Sequence, residues 1–260
     1  MTDRTFASPD LAGDNRRSAL ERKLGHYMTL TYSERDALRW LERRERRYAA
    51  GSVVLHENEE TDALHVVASG WLHGSTRLPD EARQILRFYF VGDLTTTFSI
   101  AWGVSAATLT AVSDCTLYEF PRDALWRIFS EHPRLAGLFY GVAASEQVAM
   151  ADRLTSVGRT DAITRIGKLL LDIRSQLRVV DGESGSTFEL PLTLQDLGDA
   201  VGLTKTHVSR TLKKLEDQRL LERDGRIIRI VDVAELASRV GFEDRYGHIA
   251  TDWLPDAAPR

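Results

Sequence analysis

Sulfur is scarce in this chain of 260 residues: there is one cysteine, Cys115, and three methionines. A single thiol cannot close an internal disulfide or supply a four-thiolate zinc or iron–sulfur site. Cys115 stands in the alternating apolar run "AVSDCTLYEF", the setting of a buried, inert thiol rather than a redox sensor. Long apolar runs are missing as well, and none approaches the roughly 20 residues that a membrane-spanning helix needs. The first residues, "MTDRTFASPDLAGDNRRSALERK", lack the apolar core of a secretory signal, so a cytoplasmic protein without a membrane partner is expected. No Ser-His-Asp, phosphate-loop or Rossmann signature occurs. No catalytic residue, cofactor or metal site is therefore expected. Positive charge is not in excess either: 34 Lys and Arg stand against 38 Asp and Glu, a net charge of −4. A local gathering of basic residues is informative against that background.

What is present divides by hydrophobic period. The length suffices for two domains, and 43% apolar residues suffice for two cores. Residues 33–44, "SERDALRWLERR", read as a short helix capped by Ser33, with Asp36 three positions on. The basic run "RRERRY", 43–48, reads as its solvated end. From about 48 to 121 the residues are β-branched, aromatic and broken by glycines, which predicts many short strands in a small barrel or jelly roll. Helical spacing returns at about 122. It gives a short helix, a restart at Pro133, and a long helix to about Val157 with Gly158 as its stop. The middle of the long helix holds Gly141, Ala143, Ala144, Ser145 and Ala149. Pattern alone leaves two readings open: a helix lying on its own barrel, or one whose small residues admit a partner helix. His56, His65 and His73 raise a metal-dependent cupin-like enzyme as an alternative, but the required His-x-His pair is missing.

The segment "LTLQDLGDAVGLTKTHVSRTLKKLED" reads as two helices joined by a tight turn. Thr193 caps the first, with Asp196 at its third position. Gly202 suits the turn, and Thr204 caps the second helix. Val208, Leu212 and Leu215 point inward. Lys205, Thr206, Ser209 and Lys213 share an outer face, with His207 and Arg210 at its edges. Lys and Arg there suit phosphates, while Arg, Ser and Thr suit base edges. "QRLLERDGRIIRIVD" follows, and its Asp224-Gly225 between apolar runs signals a hairpin decorated by Arg223, Arg226 and Arg229. Helix, turn, helix and basic hairpin make a winged helix-turn-helix, in which the second helix enters the DNA major groove. The alternative is a sensor or scaffold that has lost DNA binding.

This order of β-rich domain, long helix and winged helix resembles the Crp/Fnr superfamily of bacterial transcription factors, the cyclic-AMP receptor protein and fumarate–nitrate regulator type. The resemblance covers about residues 25–235. It is strongest in "LQDLGDAVGLTKTHVSRTLKKLEDQRLLER" and also shows in "YAAGSVVLHENEETDALHVVASGW" and "FVGDL". It implies an α+β chain: an N-terminal double-stranded β-helix (a jelly roll of the cyclic-nucleotide-binding kind), a long dimerisation helix, and a C-terminal winged helix-turn-helix. The corresponding divisions are a flexible segment 1–24, a sensor domain 25–132, the dimerisation helix 133–158, the DNA-binding domain 159–235 and an extension 236–260. The resemblance tips the open choice toward a homodimer, with Leu135, Leu138, Phe139, Val142, Ala149, Met150 and Leu154 at the contact. Double-stranded DNA is the implied partner, met by Thr193, Thr204, Lys205, Thr206, His207, Ser209, Arg210, Lys213, Lys214 and Arg226. RNA polymerase is a further partner if the protein activates transcription.

Two departures matter. Cyclic-nucleotide binders of this family carry a Glu for the ribose and later an Arg for the cyclic phosphate. Here the Glu position falls near Thr97 and the Arg position on Val104 or Ser105, with no arginine from 88 to 121. A buried phosphodiester without a cation is costly. Cyclic AMP is therefore not expected as ligand, and the effector of the pocket, placed at Asp93, Thr95, Thr97 and Ser105, is unknown. In the reading helix, Thr206 replaces the family's Glu and is followed by His207, while Ser209 and Arg210 match the fumarate–nitrate regulator pair. That predicts a guanine read by Arg210.

Overall fold

Short strands with buried inner residues build the first half of the molecule. The computed structural model describes residues 18–79, 82–182 and 185–255. These form two compact units, the first running from Arg17 to Asp152 and including the segment from Arg245 onward, the second from Arg153 to Asp244.

The first unit begins with α1 (Ala19–Tyr27) and α2 (Tyr32–Leu41). The first 24 residues were expected to be flexible. Residues 1–17 lie outside the described ones, but from Ala19 the chain is helical, with Leu20 and Leu24 buried. The cap of α2 is Thr31 rather than Ser33: its hydroxyl accepts from Glu34 N, and the Glu34 carboxylate accepts from Thr31 N.

Eight strands follow: β1 (Glu45–Tyr48), β2 (Val53–Leu55), β3 (Ala63–Ser69), β4 (Leu72–Arg77), β5 (Arg83–Tyr89), β6 (Leu94–Thr95), β7 (Thr108–Ala111) and β8 (Cys115–Pro121). They make two antiparallel four-stranded sheets, ordered β1-β8-β3-β6 and β2-β7-β4-β5. This is the expected jelly roll. The basic run at 43–48 is therefore mostly edge strand, not helix end; Glu45 to Tyr48 pair with Tyr118 to Cys115. Arginines on an edge strand also discourage pairing with another sheet. Leu55, Val67, Leu72, Tyr89, Leu109 and Leu117 pack together inside the roll.

Gly92, of the Gly-Asp pair, has φ +80°, and a Cβ there would lie 2.6 Å from Lys23 Cβ and 2.7 Å from Ala19 O. Only glycine lets α1 seat on this loop. The unit continues with α3 (Ser99–Trp102), α4 (Arg122–Glu131) and most of α5 (Pro133–Arg159), whose residues from Arg153 on belong to the second unit. Helix α5 runs through Gly158 instead of stopping there. Its Leu135, Leu138 and Phe139 join Leu20, Leu24, Leu38, Leu64 and Phe120 in the main apolar core.

The segment from Arg245 returns to this first unit. Leu254 is buried in the same core, 9% exposed, and its Cδ2 lies where a Cβ on Gly137 would stand, 2.3 Å away. Ser145 Oγ donates to Arg245 O (2.6 Å), and Arg245 Nε is paired with Asp152 (2.7 Å).

The second unit holds α6 (Ala162–Asp181), β9 (Thr187–Glu189), α7 (Leu194–Val201), α8 (Lys205–Asp217), β10 (Leu221–Asp224), β11 (Ile227–Ile230) and α9 (Val233–Val240). Its sheet is antiparallel, ordered β10-β11-β9. Ile166, Leu170, Ile173, Val208, Leu215, Ile230 and Leu236 are fully buried, so one core joins α6, α8, the sheet and α9. This is a winged helix-turn-helix, as the sequence predicts.

Candidate nucleic-acid interface

Local chemistry fixes the angle between α7 and α8. Thr193 Oγ1 accepts from Asp196 N (3.1 Å), and Asp196 Oδ2 accepts from Thr193 N (2.9 Å), a capping box that starts α7. Gly202 ends it in the left-handed region, φ +68°. A Cβ on Gly198 would meet Leu203 O at 2.3 Å, so the turn closes only over glycine. Arg165 donates from Nη1 to Val201 O (3.3 Å) and from Nε to Thr160 O (3.0 Å), which satisfies the end of α7. Thr204 Oγ1 then accepts from His207 N (3.3 Å) to start α8. Val208, Leu212 and Leu215 are buried, and Thr211, also buried, donates its hydroxyl to His207 O (2.9 Å).

That arrangement leaves one face of α8 outward. Thr204, Lys205, Thr206, His207, Ser209, Arg210, Lys213 and Lys214 are all exposed, as is Thr193 at the start of α7. Among the described residues, Lys205, Arg210 and Lys214 have no ion-pair partner, whereas Lys213 pairs with Asp217 (3.2 Å). The wing arginines divide in the same way. Arg223 is held bidentately by Glu216 (2.6 and 3.2 Å), and Arg229 by Glu222 (2.8 Å). Arg226, beside the Gly225 turn, is exposed and unpaired among the described residues. Arg219 was missed by sequence reasoning; it sits just past α8 at φ +57°, exposed, which nothing in "DQRLL" announces. The face thus offers cations for phosphates beside hydroxyl, imidazole and guanidinium groups for base edges.

The four residues expected to line an effector pocket are not equivalent. Asp93 is buried, accepts from Phe90 N (2.8 Å), pairs with Lys23 and lies 3.7 Å from Arg87 Nη2. Ser105 is buried and donates to Ala107 O (2.6 Å). Thr97 is half-buried. Thr95 Oγ1 is buried and lacks a partner among the described residues. Arg87, the second cation near Asp93, is held bidentately by Glu146 of α5 at 2.5 Å on each arm. Burial disfavours the charge on Arg87, but Glu146 and Asp93 outweigh it and push its pKa up.

The expected dimer residues separate by face. Leu135, Leu138 and Phe139 are buried in their own unit, and Val142 packs against that core. Ala149 is half-buried, while Met150 and Leu154 are exposed. The outward stripe is Tyr140, Ala143, Gln147, Met150 and Leu154, at steps of three and four. The glycines of α5 are covered from within the chain: Leu254 stands over Gly137, and Ile249 lies 3.3 Å from a Cβ on Gly141.

His65 and His73 are buried and His56 is exposed; among the described residues no group of three or more His, Cys, Asp or Glu is placed to hold a metal. Burial, with a smaller push from Asp114, raises the Cys115 thiol to about 11. No described helix is long and apolar enough to cross a membrane.

Known proteins share both halves. The Crp-like helix-turn-helix domain matches residues 164–239, and the cyclic nucleotide-binding domain matches residues 45–132. The nitrogen fixation regulation protein FixK of Bradyrhizobium diazoefficiens is 33% identical over 170 residues, covering 65% of this chain and 70% of that protein. The fumarate and nitrate reduction regulatory protein of Vibrio cholerae is 24% identical over 213 residues, covering 82% of this chain and 85% of that one. The solved structure of FixK2 from Bradyrhizobium japonicum superposes with a TM-score of 0.65 at 26% identity, over 75% of this chain and 95% of that chain. Neither the cupin-like enzyme nor the DNA-free scaffold is favoured by these matches.

Proposed function

Because the chain belongs to the Crp/Fnr family of DNA-binding transcriptional regulators, we propose that it acts in the cytoplasm as a homodimer on a pseudo-palindromic operator, without cyclic AMP as its signal. The observation that carries this reading is the outer face of α8. Among the described residues, Lys205, Arg210 and Lys214 stand exposed and without an ion-pair partner, although nearby Arg223 and Arg229 are neutralised by acids. A selective set of unpaired cations on a groove-sized helix suits phosphates and guanine edges.

In this reading Lys205, Lys213, Lys214 and Arg226 meet phosphates. Thr193 and Thr204 position the two helices on the backbone. Thr206, His207, Ser209 and Arg210 face the bases. Arg210 reads a guanine, and Thr206 and His207 alter readout at the neighbouring pair. The partner subunit meets the stripe Tyr140, Ala143, Gln147, Met150 and Leu154, so of the dimer residues first expected, Met150 and Leu154 stay in the contact. Asp93 and Ser105 already bond within the protein, and Val104 and Ser105 supply no cation for a cyclic phosphate. If the protein activates transcription, RNA polymerase is its further partner.

Fluorescence anisotropy on a labelled duplex tests this across a salt series. Lys214→Ala should weaken all sequences alike and lower the salt slope by about 0.9. Added cyclic AMP should leave the affinity unchanged. A salt-independent affinity, or tightening by cyclic AMP, would contradict the reading.

A further inference from the structure

The contact between the β-roll and α5 has an apolar part and an ionic part. Leu135, Leu138, Phe139 and Val142 make the apolar part. One turn further on, Glu146 grips Arg87 of β5 with both carboxylate oxygens, each at 2.5 Å. The two side chains are only 15% and 23% exposed. Around them lie Asp93, 3.7 Å from Arg87, and Lys23, paired with Asp93. Tyr89 places its ring under the guanidinium at 4.7 Å, and Arg87 Nε is buried without a hydrogen-bond partner among the described residues. The cluster counts two cations and two anions. Without Glu146, two cations would face Asp93 alone, and a largely buried guanidinium would lose its bidentate partner, the strong form of such a pair.

We propose that Glu146 is a tethered ligand: its carboxylate fills, from within the chain, the site on Arg87 where a small carboxylate effector would otherwise join the β-roll to α5. The proposal rests on the reading of the first unit as a sensor coupled to DNA binding. It gives the joint between roll and helix a charged part beside the apolar one. A planar guanidinium with two parallel donors recognises a carboxylate by shape as well as charge. The site therefore has a defined ligand class, and its occupant is a residue of α5 itself.

Chemical rescue tests this in the full-length protein. Glu146→Ala should lower affinity for the wild-type duplex by about 5- to 150-fold, the usual range for coupled sites. Sodium acetate or formate should restore it, and sodium chloride at equal ionic strength should not. Wild type, and Glu131→Ala as an exposed control, should respond to neither. Melting followed by tryptophan fluorescence gives a second readout, because Trp40, Trp71, Trp102, Trp126 and Trp253 all belong to the first unit. Acetate should raise the midpoint of Glu146→Ala and not that of wild type. Should Glu146→Ala fail to fold, Glu146→Gln keeps the shape and one acceptor; it should bind DNA more weakly than wild type and ignore acetate. Wild-type affinity in either variant, or a loss in Glu146→Ala that carboxylates do not repair, would overturn the proposal. If wild type bound no duplex, the regulator reading would fail instead, and the melting experiment would still decide the fate of the tethered ligand.

Discussion

Removing three carbons from the segment after Arg245 should loosen the first unit. Leu254 is 9% exposed and packs in one core with Leu20, Leu24, Leu135 and Leu138. Leu254→Ala deletes about three carbon groups, worth about 2.4 kcal/mol at ~0.8 kcal/mol each. A cavity would add to this, but the segment lies at the edge of the core and can settle over Gly137, so about 2–3 kcal/mol is expected in total. For a unit of about 150 residues, 1 kcal/mol moves the midpoint by ~2–4 °C, which predicts a fall of about 4–12 °C. All five tryptophans and all seven tyrosines belong to the first unit, so tryptophan fluorescence follows it without interference from residues 153–244. An unchanged midpoint would refute the docking of this segment and its role in shielding Gly137 and Gly141 of α5.

Other variants address the remaining surfaces. Arg210→Ala should flatten preference at one base pair in each half-site, at a cost of about 1–3 kcal/mol on the preferred base; titrations against single-base variants of the operator measure this. Leu154→Asp should convert dimers to monomers in sedimentation velocity and weaken operator binding, since it puts a carboxylate on the exposed α5 stripe. Cys115 should resist iodoacetamide at pH 8 in the native protein and react after denaturation, because burial raises its thiol to about 11. The sign follows: the folded state keeps this proton where the unfolded thiol releases it. The associated stability is full below the ordinary thiol range and declines as pH rises toward 11.

Legibility tracked how local each signal was. Thr193, Asp196, Thr204 and Gly202 carry their own caps and turn, so the reading motif could be placed residue by residue. The Asp224-Gly225 hairpin was visible for the same reason, though not that β9 completes its sheet. The start of α2 was ambiguous because "TYSERD" offers two overlapping box patterns. Burial of Leu38 and Leu41, with Tyr32 left exposed, favours the register that begins at Thr31. "RRERRY" hid a strand because an exposed edge carries no alternation of apolar residues. Gly158 did not stop α5, where a Cβ would meet nothing and no left-handed turn follows.

The Arg87–Glu146 cluster was the least legible part of the first unit. The arginine-free stretch 88–121 begins one residue after Arg87, and the acid that holds Arg87, Glu146, comes 59 residues later in the sequence. The outward stripe of α5 was obscured for a related reason. Both faces of the helix are partly apolar, and what covers Gly137 and Gly141 arrives from more than 100 residues away.

The most direct test is selection of bound duplexes from a random library by the wild-type protein. The account predicts an inverted repeat with a guanine fixed in each half and half-site centres about one helical turn, ~10–11 base pairs, apart. A single unrepeated motif, or enrichment without any fixed guanine, would contradict the placement of α8 in the major groove as a symmetric pair.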